Sequence, residues 1–158
     1  MSFSTTLIRS SRNQDILRTG LCIGLAGGLA EIVVVWLYSV ATGGDAALLA
    51  RAVAAAVGLS GASAATGVAV HMALAGMIGV GLAAVLRVVA GKGAPDRVVF
   101  PFMLGSLAAV WAVNFFVLLP AISPGFVHLL PYALTLASKL AFGLAAAAAV
   151  RGLSQGRA

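Results

Sequence analysis

Four long apolar runs, each almost free of charge, decide what this chain can fold into. They cover residues 20–40, 66–86, 98–119 and 129–150, and each is about 21–22 residues long. A helix needs roughly 20 residues to cross a 30 Å hydrocarbon core. Lipid offers no partner to backbone N–H and C=O groups, so runs of this kind must close their hydrogen bonds internally, as helices. The expected fold is an all-α membrane protein, a four-transmembrane-helix bundle forming a single domain over residues 1–158. Composition agrees: 61% of residues are apolar and 9% charged, with a mean hydropathy of +1.09. A water-soluble surface carries roughly a quarter to a third charged residues.

Prolines mark the ends of the runs. Pro101 and Pro131 are expected in the first turns of the third and fourth helices, where a missing N–H costs little. Pro120 and Pro124 are expected to bracket the turn between those helices, and Pro95 to lie in the loop before the third. The first connection is different. Residues 45–57 read DAALLARAVAAAV, good helix formers behind an acidic start but too short to span. A short interfacial helix in the first outer loop is expected there, with Arg51 reaching toward headgroups.

The formal charge is +6, yet the basic residues are dispersed and lack aromatic interleaving, so nucleic acid is not an expected partner. They work as topology signals instead. Arg9, Arg12, Arg18, Arg87, Lys92, Arg97, Arg151 and Arg157 flank one set of run ends, and only Arg51 lies on the other side. This asymmetry places both termini in the cytoplasm of a bacterial inner membrane, with Trp36 and Tyr38 in the outer aromatic belt. A basic start followed by an apolar run also fits a signal peptide. The length of the run and Glu31 within it favour an uncleaved anchor.

Glu31 and Lys139 break the lipid rule. A charge at the bilayer centre costs at least about 2.5–3.5 kcal/mol, so it normally finds a partner or a cavity. Each lies eleven residues inside the cytoplasmic end of its run, a depth of about 16 Å at 1.5 Å per residue. Equal depth and opposite sign predict a buried ion pair between the first and last helices, with a structural clamp preferred to a proton relay. His71 and Asn114, counted the same way, form a separate polar tier in the outer half. Interhelical hydrogen bonding is its expected role.

Small residues recur every four positions. Gly20, Gly24 and Gly28 form one stripe; Gly67, His71, Ala75, Gly79 and Ala83 another; Thr135, Lys139, Gly143 and Ala147 a third. Such stripes let helix backbones approach closely. Cys22 is the one cysteine and acts as a small hydrophobe. No nucleotide loop, metal motif or paired cysteines occur, so neither catalysis nor a metal is expected. No cofactor is expected either; a haem b would need His71, whose one possible partner, His128, lies at a different depth. Three functions fit this inventory. The first, which is the preferred one, is a non-catalytic accessory subunit of a larger membrane complex, for instance an electron-transport one, with lipid and other membrane subunits or a second copy as partners. The second is a small proton- or ion-coupled carrier using Glu31, Lys139 and His71. The third is a membrane cytochrome using His71.

Overall fold

The computed structural model describes residues 3–91 and 93–155, with side chains from residue 13 onward. The topology signals carried by Lys92, Arg157 and the side chains of Arg9 and Arg12 therefore lie outside the described residues. Among the described residues the chain is all-helical, and four helices are long and apolar enough to cross a membrane. α1 spans Phe3–Thr42, α2 Ala46–Ala56, α3 Ala64–Ala90, α4 Asp96–Val113, α5 Leu119–Ile122 and α6 Tyr132–Gln155. A π-helical turn, Asn114–Leu118, joins α4 to α5 in one continuous rod.

Local chemistry sets these boundaries. Asp45 caps α2, its side chain accepting from the Ala47 N–H at 2.8 Å. Ser63 caps α3 through the Thr66 N–H at 3.1 Å. Such caps satisfy amide groups that have no partner within the helix. α3 stops at Gly91, whose φ of 74° is a conformation that side chains beyond glycine rarely adopt. Inside α1, Ser39 and Thr42 donate to the carbonyls of Val35 and Tyr38, which hides their hydroxyls on the helix itself.

Several expected boundaries need correction. α1 begins well before residue 20, at Phe3, and α3 runs four residues past Leu86. α4 begins at Asp96, so Pro101 sits beyond the first turn, inside the helix. α6 starts at Tyr132 rather than 129; the carbonyl of Pro131 accepts its first two amides, from Leu134 and Thr135. Pro120 does not start the turn either, because the rod continues to Ile122. A proline ring clashes with the carbonyl four residues back. The wider π turn, closed by the Leu119 N–H on the Asn114 carbonyl, relieves that clash at Phe116 and lets the rod pass through the proline.

Packing follows the glycines. α1 is the central helix, flanked by α3 and α6, while α4 leans on α6. A Cβ on Gly24 would stand 2.5 Å from the Ala75 carbonyl oxygen and 2.6 Å from the Gly76 Cα, and one on Gly20 would strike the Val80 backbone. A Cβ on Gly28 would come within 2.8 Å of the Ala75 Cβ, and Gly79 faces the backbone of Gly20 and Gly24. The α1–α3 crossing is therefore backbone against backbone. Gly67 faces the Ala50 carbonyl of α2, and Gly143 faces Leu104 of α4 at 3.1 Å. Gly27 makes a contact that the four-residue stripes do not include, with the Phe142 ring on α6. Ile23, Val99, Met103, Leu107 and Phe142 fill the core and are fully buried. α3 and α4, although joined by a short loop, share few contacts.

Candidate functional site

Three helices bring charged or titratable side chains to one point. Glu31 comes from α1, Lys139 from α6 and His71 from α3. The Lys139 Nζ lies 2.8 Å from the Glu31 Oε1 and 2.9 Å from Oε2, so the ammonium straddles the carboxylate. His71 Nε2 is 3.8 Å from Glu31 Oε2 and 3.2 Å from the Gly28 carbonyl. Side-chain exposure is 6% for Glu31, 13% for Lys139 and 24% for His71. Lys139 also stands 5.8 Å from the centroid of the Phe142 ring, a favourable setting for a buried cation.

A carbonyl can only accept, so Nε2 carries the hydrogen shared with Gly28. That assignment leaves Nδ1 as the ring's acceptor. It also turns away from any metal the nitrogen that usually ligates haem iron. Among the described residues no group of three metal-ligating side chains comes together, and His128 lies in a 3-10 turn, Phe126–His128.

The grouping differs from the two expected tiers. His71 joins Glu31 and Lys139, while no hydrogen bond links it to Asn114. Asn114 opens the π turn instead, where its carbonyl closes the wider ring. π turns inside α-helices frequently accompany functional sites. Here the turn carries Phe115, a wall residue of the cavity beside the cluster.

That cavity, about 430 Å³ in volume, is the feature that sequence reasoning missed. It lies among α1, α2, α3 and α6, with Phe115 of the α4 rod on its wall. Glu31, His71 and Lys139 form its polar end, Thr135 and Ser138 add hydroxyls, and Trp36, Val68, Phe115 and Phe126 are among its apolar walls. α2 closes it from above with Ala46, Ala47, Leu49, Ala50 and Val53. α2 is thus packed onto α3, and Arg51 pairs with its cap residue Asp45 at 3.2 Å on the exposed surface. Trp111 steadies the far wall by donating to the Thr135 hydroxyl at 3.0 Å. It also belongs to a ring cluster with Phe115, Phe116 and Tyr132. A second, smaller cavity of about 110 Å³ lies at the termini end, lined by Asp15, Arg87 and Ser154 among others. Ile23, Met103 and Phe142 stand between the two.

The chain is thus a helical bundle with a buried polar cluster opening on an apolar cavity. No family model matches it, and comparisons with curated proteins and with solved structures also give no match.

Proposed function

We propose that the protein is a multi-pass protein of a bacterial inner membrane and works there as a small proton-coupled carrier. Both termini and the loop between α3 and α4 face the cytoplasm, and α2 lies at the outer interface as the roof of the solute site. The distribution of Arg and Lys supports this orientation. One observation carries the carrier reading: a 430 Å³ cavity ends on a carboxylate, an ammonium and an imidazole from three different helices. Intramembrane ionisable groups that line a cavity mark ion and substrate pathways. A pure clamp needs only Glu31 and Lys139. The imidazole adds a group that can gain and lose a proton beside a neutralised pair. The core between the two cavities acts as the closed inner gate.

Cysteine accessibility tests the reading. Ser138→Cys in a Cys22→Ser background places one thiol on the cavity wall. A carrier exposes that thiol to impermeant maleimide from each face of the membrane in turn, so labelling is expected from both sides in oriented vesicles. Labelling from the outer side alone would reduce the site to a static pocket.

A second reading, the accessory subunit of a larger membrane complex, is supported by the close glycine packing of α1 on α3. Stoichiometric partners retained through purification in mild detergent would favour it. The cytochrome reading is weakened by His71 Nε2, which is engaged by the Gly28 carbonyl.

A further inference from the structure

The charge balance of the cluster selects its ligand. Glu31 and Lys139 cancel, so the cluster is neutral while the His71 ring is neutral and carries one positive charge once Nδ1 takes a proton. Among the described residues no hydrogen bond reaches Nδ1, and the ring borders the cavity. The groups that face His71 from every side are accounted for. α1 presents Glu31 and α6 presents Lys139. The only charged residues of α2 and its cap, Arg51 and Asp45, pair with each other at the exposed surface. The α4 rod contributes Phe115 to the wall and no titratable group, and His128 is not part of the wall.

An apolar cavity holds a net charge only at high cost unless a counter-charge accompanies it. A proton on His71 and a single negative charge in the cavity therefore favour each other. A cation would have to displace Lys139 from Glu31, and a dianion would leave an uncompensated negative charge. Apolar and aromatic walls further require that most of the ligand be apolar.

We infer that the cavity takes an amphipathic organic monoanion, a carboxylate or sulfonate head on a short apolar body, together with one proton on His71. The inference rests on the carrier reading and adds to it the charge of the solute and the seat of the proton. Thermodynamic linkage then requires the anion to bind more tightly at acidic pH and to draw a proton from solution when it binds at higher pH.

The test is calorimetry on the full chain in nanodiscs with three probes of similar apolar body: hexanesulfonate, hexyltrimethylammonium and hexanol. Hexanesulfonate stays ionised throughout, so any proton counted belongs to the protein. It is expected to bind best, with close to one proton taken up per anion, measured by comparing buffers of different ionisation enthalpy. Its affinity is expected to fall about tenfold per pH unit on the alkaline side. His71→Gln should abolish the uptake, and His71→Lys should bind the sulfonate without uptake. Should His71→Gln fail to fold, the proton count on the unaltered protein still decides. Sulfonate binding without proton uptake, or preference for the alcohol, overturns the inference. Preference for the cation overturns it as well but leaves the carrier reading standing, whereas binding of none of the three removes both.

Discussion

Removing Glu31 and removing Lys139 should not do equal harm, and the asymmetry comes from His71. Breaking a buried ion pair typically costs about 3–5 kcal/mol, because the remaining charge is left without compensation. Glu31→Gln strands Lys139 in that way: an amide oxygen replaces the carboxylate that the ammonium straddles at 2.8 and 2.9 Å, and the Phe142 ring does not replace the lost charge. The full cost of about 3–5 kcal/mol is expected there. Lys139→Met strands Glu31 instead, but His71 Nε2 already lies 3.8 Å away. A protonated imidazole can close on the carboxylate and recover about 1.5–3 kcal/mol, the value of a hydrogen bond to a charged group. The net cost is then about 2 kcal/mol while the imidazole carries a proton, and the full penalty applies while it does not. The double variant Glu31→Gln/Lys139→Met removes both charges and should regain much of the loss. The assay is reversible unfolding in mixed micelles, with SDS as denaturant and tryptophan fluorescence as the signal, for all four proteins at pH 5.5 and pH 8.5. Equal, pH-independent losses in the two single variants would show that His71 does not serve Glu31. Additive losses in the double variant would show that Glu31 and Lys139 are not coupled at all.

Gly24→Leu should cost at least about 1–3 kcal/mol, the usual range for overpacking, because the added atoms meet the backbone of Ala75 and Gly76, which cannot turn aside. Val33→Leu, on an exposed part of the same helix, should be neutral in the same unfolding assay. Phe142→Ala empties the core between the two cavities and should lose about 3–5 kcal/mol; a loss below 1 kcal/mol would mean that this core is loosely packed. Reporter fusions should find the C-terminus and the α3–α4 loop in the cytoplasm and α2 outside, and the opposite result for any one of them would break the orientation.

The helices were legible in the sequence because long apolar runs obey a simple rule. A backbone that can bond only to itself must be helical, and a span must be about 20 residues long. The acidic start of α2 at Asp45 and the glycine stripe of α1 were legible for similar reasons, since both are local patterns with one physical meaning. Glu31 and Lys139 could be matched because both were counted from the same end of the bundle. His71 was misplaced by the same counting, because a position along a run does not say how the helices are shifted against one another; the contact of His71 with Glu31 shows that the two are level. Hydropathy finds the apolar stretch, whereas the helix continues for as long as its hydrogen bonds and packing hold.

Tertiary structure alone decided the rest. Gly27 meets Phe142 because α1 touches two helices at once, and a repeat of four residues describes only one face. The π turn at Asn114 arises from a steric conflict at Pro120 that hydropathy does not register. The cavity exists because α3 and the α4 rod share few contacts, with α2 roofing the gap. A void is a property of how several helices fail to touch, and no residue in the sequence carries it.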